Sequence, residues 1–304
     1  MKEYLQSYGL GMFLITGMGR VLRHIGVPYS VLVKYDNFKH QKVQQYLYKK
    51  YANLCEKTDD MPRQINRTAY VFWWQGEENA PELVRICIQS VRKNAGIPVV
   101  VLSEKNFQQY VTLPKHILEK FAAGKIGHAH FSDILRFNLL FQRGGVWLDA
   151  TNFVTGSIPE ELFQNTFWSD RRAFRNIYQW KWTSFLMVAQ KNDYICGMMC
   201  DFYNQYWKDH STVITYLVLD CWLTVLYNHN DIVRQAIDAM PSDVLDVFAI
   251  GRIIDKPHTV EQYEKAIKDS FAHKLSYKDS YPEIVDGALT TWGYIKQNEN
   301  FDAC

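Results

Sequence analysis

Between residues 68 and 104 the chain spells a strand, a helix and a second strand in close succession, and this order constrains the fold more than any other feature. "TAYVFWWQG" is a β-branched and aromatic run ending in glycine, as a buried strand does. "NAPELVRICIQSVRKNAG" follows, with Pro81 in a first-turn position, an apolar stripe at Leu83, Ile86, Cys87 and Val91, and a stop at Gly96. "IPVVVLSE" is too apolar throughout to have one wet face. A strand returning through a helix into a parallel neighbour makes a right-handed crossover. The expected class is therefore α/β, with a mostly parallel sheet flanked by helices.

Further helices are expected in "PKHILEKFAAGK" and "AHFSDILRFNLLFQR", before a third strand "VWLDA" that begins after Gly144-Gly145. Residues 160–304 read as largely helical, including "YICGMMCDFYNQYWKDH" and "VITYLVLDCWLTVLYNH". Residues 1–60 read as a helical N-terminal extension, with Val43, Leu47 and Leu54 near helical spacing, joined by a connector over 58–67 to a main domain spanning 65–304.

Hydrophobic residues make up 47% and aromatic residues 15% of the 304, enough apolar surface to offset the ordering entropy of a large core. A net charge of +2 argues against a dedicated nucleic-acid binder, which needs a clear excess of Lys and Arg. The charge is uneven: residues 1–60 hold nine Lys and Arg against five Asp and Glu, which suits an anionic surface. Cysteines 55, 87, 196, 200, 221 and 304 show no paired framework, so they are expected to be reduced and the protein cytoplasmic; Cys196 and Cys200 read as core thiols rather than metal ligands. No stretch reaches the roughly 20 apolar residues of a membrane span. "YGLGMFLITGMG", followed by Arg20 and Arg23, fits an interfacial amphipathic segment or a packing helix.

In open parallel sheets, ligands bind beyond the carboxyl ends of the strands. The first strand ends near Trp73-Trp74 and the third at Asp149, so one crevice is expected to hold an aromatic plane and a carboxylate. That pairing suits a nucleotide: a ring for the base, an acid for ribose hydroxyls or a metal on the diphosphate. Asp133 and Arg136 are neighbours on one helical face, either a surface ion pair or a clamp for sugar and phosphate.

"VFWWQGEENAPELVRICIQSV", "FSDILRFNLLFQRGGVWLDAT" and, more loosely, "WTSFLMVAQKND" together resemble the capsular polysaccharide synthesis proteins, related to family 32 glycosyltransferases. The resemblance covers about residues 65–230 and implies a GT-A fold, with a nucleotide-sugar half over about 65–160 and an acceptor side over about 160–304. The implied reaction is transfer of a hexose, glucose or galactose, from a UDP-sugar to a lipid-linked (undecaprenyl) or growing glycan of a bacterial surface, with retention. On this resemblance Trp74 stacks the base, with Trp73 as the alternative. Asp133 and Arg136 hold the donor sugar and phosphate, Ser132 orients the helix start, and Asp149 stands as the first acid of an Asp-x-Asp motif. Thr151 replaces the second acid, which puts a bound Mn²⁺ or Mg²⁺ in question. Asp149 alone with the diphosphate, an acid from elsewhere, or cations such as Arg136 and Lys274 then carry that role. Asp220 is a further candidate toward acceptor or metal. A lipid-linked acceptor would place the enzyme at the inner face of the plasma membrane, held by the basic N-terminal segment.

Three other readings stand beside this one. "GHAHFSD" offers His128, His130 and Asp133 to a metal-dependent hydrolase, although here the pattern opens a helix. "WLDAT" as an aspartyl-phosphate loop lacks its general acid, since Thr151 stands there. A non-catalytic sugar- or nucleotide-binding homologue would keep the fold without the activity.

Overall fold

The computed structural model describes residues 2–57, 61–171, 181–241 and 245–298. Helices α1 (Lys2–His24, kinked at Gly9) and α2 (Tyr29–Tyr51) come first. The crossover unit follows as β1 (Ala69–Phe72), α3 (Glu82–Asn94) and β2 (Val99–Leu102). After α4 (Phe107–Tyr110), α5 (Lys115–Ala122) and α6 (His128–Arg143) the chain enters β3 (Gly145–Asp149). β4 (Asn152–Val154), β5 (Phe167–Ser169), β6 (Leu186–Ala189), α7 (Tyr194–Asp209), α8 (Val218–His229) and, later, β7 (Ala272–Lys274) complete the elements that shape the site.

The central sheet has the order β2-β1-β3-β6-β5. β1 is parallel to both β2 and β3, while β6 is antiparallel to β3 and to β5. Four strands therefore share one direction and only β6 opposes them. The fold is α/β with a mostly parallel sheet flanked by helices. β1 and β3 are buried on both faces apart from the last residue of β3, Asp149, which accounts for their unbroken apolar character.

The chain after residue 160 is helix-rich, and it also supplies β5 and β6, which helical periodicity does not announce. Both are only three or four residues long. The run from Val213 was expected to be helical, but α8 starts only at Val218. Side chains hold the preceding segment open: the Tyr4 hydroxyl donates to the Ile214 carbonyl at 2.9 Å, the Tyr8 hydroxyl to the Thr212 carbonyl, and Ile214 N–H to the Tyr206 hydroxyl at 2.8 Å. Through these bonds, and through buried Val43, Leu47 and Tyr51, α1 and α2 share the main core. Cys55, Cys196 and Cys221 are buried there and Cys87 in a second, smaller cluster, and burial pushes the Cys196 and Cys200 thiols well above their ordinary range, as expected of core thiols. Cys304 lies outside the described residues.

The double glycine between α6 and β3 is a steric requirement. Gly145 has φ +110°, and a Cβ there would stand 2.5 Å from the Thr68 carbonyl oxygen, part of the backbone that β3 must approach to pair with β1. Gly124 also has a positive φ, +69°, but open space around it. Gly145→Ala is therefore expected to cost about 3 kcal/mol and Gly124→Ala about 1 kcal/mol, measured by urea denaturation. Equal costs at the two positions would contradict the steric account.

Candidate functional site

In β1–β3 pairing Phe72 lies opposite Asp149. The chain therefore leaves both strands at one edge, with Trp73 and Trp74 beside Asp149, Ala150 and Thr151. A cleft of about 620 Å³ opens there. Its lining includes every residue expected to bind the nucleotide sugar: Trp73, Trp74, Ser132, Asp133, Arg136, Asp149 and Lys274, together with Thr151, His128 and Asp220.

Asp149 is the centre of this arrangement. Arg136 Nη2 and the Trp147 indole N–H donate to its Oδ1 at 3.3 and 3.0 Å. Lys274 Nζ donates to its Oδ2 at 2.8 Å and to Thr151 Oγ1 at 2.7 Å. Burial pushes the carboxyl up, but the Lys274 ammonium and then the Arg136 guanidinium outweigh it and hold Asp149 at about 2. Lys274 comes from far along the chain because β4 and β7 pair antiparallel with Asn152 opposite Lys274.

Arg136 is only 4% exposed, on a helix whose Phe131, Ile134, Leu135 and Leu139 are buried as well. A buried guanidinium needs partners. It donates to the Ser184 carbonyl and lies 3.3 Å from both Asp133 and Asp149, with its guanidinium carbon 5.1 Å from the centre of the Trp147 ring. Its Nε is buried with no hydrogen-bond partner among the described residues. Asp133 and Arg136 are thus one corner of the cleft rather than a solvated pair.

The two tryptophans differ in support. Trp74 stands perpendicular to Phe121 and Phe131, at centroid distances of 4.7 and 5.6 Å, and those two rings stack on each other. Trp73 meets Tyr277 edge-on at 5.4 Å. Asp220, at the start of α8, is buried and accepts from the Trp182 indole at 3.1 Å; burial pushes its carboxyl up to about 6. It is a cleft residue and not a solvent-facing helix position.

The donor set does not fit a resident divalent cation. Both Asp149 oxygens already receive cationic or indole donors, and Thr151 receives Lys274. Among the described residues, no three His, Cys, Asp or Glu side chains gather in a way that could hold a metal. The hydrolase reading fails for a related reason: His130 Nε2 accepts from the Trp207 indole at 3.1 Å, and Asp133 is engaged by Arg136. Sequence reasoning missed Ser184, Tyr216, Leu217, Tyr277 and Lys278. Ser184 lies within the loosely matching "WTSFLMVAQKND" and Tyr216 and Leu217 within a run read as helical, yet all five fall in turns or irregular chain, and only the tertiary fold brings them to the rim.

A family model described as capsular polysaccharide synthesis protein matches residues 29–291. Among solved structures, the chain is similar to one titled PaToxG Glycosyltransferase, at 15% identity over 75% of this chain and 94% of that one, with a TM-score of 0.33. No curated protein matches.

The two shifted carboxyls give opposite pH signatures. Asp149 is depressed from an ordinary 3.8, so the stability it lends is present above that value and lost as pH falls toward about 2. Asp220 is raised, so its contribution is present below about 4 and lost as pH rises through about 6. In urea denaturation across pH 3–7, Asp149→Asn is expected to cost most stability at neutral pH. Asp220→Asn should instead gain relative to the unsubstituted protein as pH rises from about 4 to 7. Parallel pH profiles for the two variants would contradict these assignments.

Proposed function

The chain belongs to the capsular polysaccharide synthesis protein family, and from that premise we propose that its cleft transfers a hexose, glucose or galactose, from a UDP-sugar to a hydroxyl of a lipid-linked or growing surface glycan. The observation that carries this reading is the convergence of Trp73, Trp74, Arg136 and Lys274 around Asp149 at one rim of the sheet.

The base lies against Trp74, whose plane Phe121 and Phe131 fix in advance, so stacking costs little ordering entropy; Trp73 is the alternative. Asp133 accepts from donor-sugar hydroxyls, and Ser132 completes that corner. As the bond from the anomeric carbon to the diphosphate breaks, negative charge grows on the departing UDP. Lys274 and Arg136 stabilise it, and Asp149 keeps both cations in place. The acceptor oxygen bonds to the anomeric carbon on the face the diphosphate leaves, so configuration is retained, and the acceptor proton passes to a departing phosphate oxygen. Asp220 lies where it can accept a hydrogen bond from that acceptor. A diphosphate seat built from side-chain cations needs no resident Mn²⁺ or Mg²⁺.

A nucleotide-sugar screen by thermal shift and by donor hydrolysis tests this. UDP-hexose is expected to stabilise the protein and to be hydrolysed slowly with EDTA present, and Lys274→Met to lower the rate about 100-fold. Trp74→Ala should weaken UDP binding by roughly 10- to 100-fold, the worth of one stacked base. Activity that requires added Mn²⁺ and survives Lys274→Met would overturn the metal-free assignment. UDP binding without any turnover would instead favour a sugar- or nucleotide-binding homologue.

A further inference from the structure

Ten of the seventeen exposed large hydrophobic side chains among the described residues fall between Leu5 and Tyr48. Five of them, Leu10, Leu14, Met18, Val21 and Ile25, recur at intervals of four, four, three and four residues, and each is 52–63% exposed. At about 100° per residue they form a single stripe along the outer face of α1 and just past its end. α1 buries its opposite side, including Tyr8 and Met12, against the main core. The stripe is therefore not a helix awaiting its place in this fold. Val31 and Phe38 extend the apolar surface onto α2, and Lys34 lies between them.

The charge beside this surface is one-sided. Residues 2–57 contain nine Lys and Arg but only Glu3, Asp36 and Glu56 as acids. Glu3 is engaged by Lys125 and Asp36 by Arg23, while Lys50 and Lys57 pair with Asp209 and Asp201 of the main domain; Lys2, Arg20, Lys34, Lys39, Lys42 and Lys49 make up the basic excess that remains. No helix among the described residues is long and apolar enough to cross a membrane. A long apolar stripe on a basic hairpin matches a surface that offers acyl chains below and negative charge above. A second copy would instead bring the same positive charge against itself.

We infer that the outer face of α1, with the adjoining face of α2, seats the protein on an anionic lipid bilayer, its Leu10–Ile25 stripe sinking to the acyl boundary and Lys2, Arg20 and Lys34 meeting the headgroups. The inner face of the same hairpin grips the segment that forms one wall of the cleft: Tyr4 and Tyr8 bind the Ile214 and Thr212 carbonyls, His40 Nε2 lies 3.3 Å from Thr215 Oγ1, and the chain runs on into Tyr216 and Leu217 at the rim. Seating on lipid therefore brings that wall close to the bilayer. The seat rests on the exposed stripe and the basic charge beside it; its value for a lipid-linked acceptor rests on the proposed transfer.

Sedimentation with vesicles of mixed phosphatidylglycerol and phosphatidylcholine, and with phosphatidylcholine alone, tests the seat. The full chain is expected to sediment with the anionic vesicles, much less with the neutral ones, and less as salt rises. Leu14→Glu combined with Val21→Glu, both on the exposed face, should lower partitioning about 100-fold while circular dichroism and UDP binding in solution stay unchanged. An unsubstituted protein that remains in the supernatant would overturn the proposal. So would a double variant that binds as well as the parent, or a stripe that analytical ultracentrifugation finds buried in a stable dimer. UDP-hexose hydrolysis without lipid is read separately, so failure of the seat and failure of the transfer reading are distinguishable.

Discussion

Everything at the rim of the sheet is organised by one carboxylate shared between two cations. Asp149 lies 2.8 Å from Lys274 and 3.3 Å from Arg136, and each cation comes from a different part of the fold. Burial alone would push this acid up; the two positive charges reverse that and keep it ionised. The balance works in both directions, because a guanidinium as deeply buried as Arg136 is tolerated only with charged partners close by. The triad orders β3, α6 and β7 at their meeting point, and it also places two cationic side chains on the lining of the cleft.

That charge distribution connects fold to function. In the proposed transfer, Asp149 serves the two cations rather than a divalent ion, and the cations take the charge that the leaving group gains. The aromatic side of the cleft is equally prearranged, with Trp74 braced by a stacked pair of phenylalanines. On the far side, the segment before α8 is held out of helical form by tyrosines from α1. The N-terminal hairpin is thus a structural support of the cleft as well as a surface of its own.

The crossover unit and the helix before Gly144 were legible in the sequence because each carries its own periodicity and stop signal. Asp149 was legible as a charge where an apolar strand should end, and the Phe72–Asp149 register explains why Trp73 and Trp74 line the same cleft. Lys274 was named only as one candidate among three solutions to the missing acid; its place depends on β4–β7 pairing across more than a hundred residues, which no local pattern encodes. β5 and β6 escaped notice because three or four apolar residues cannot be told from a helix segment by periodicity. Tyr277 lies in irregular chain with no period to read, and Tyr216 lies in a run whose helical pattern the tyrosine bonds from α1 override. The "GHAHFSD" motif misled in the opposite way: its histidines look like ligands until Trp207 is seen to occupy one of them.

The central claim is that Lys274 and Arg136, held by Asp149, form a cationic seat for a diphosphate. A crystal structure of the protein grown with UDP and Mn²⁺, with anomalous scattering recorded at the manganese edge, tests it most directly. The account predicts diphosphate oxygens at about 3 Å from Lys274 Nζ, the base against a tryptophan, and no manganese peak on Asp149. A manganese ion bound to Asp149 with Lys274 displaced, or UDP held outside this cleft, would contradict it.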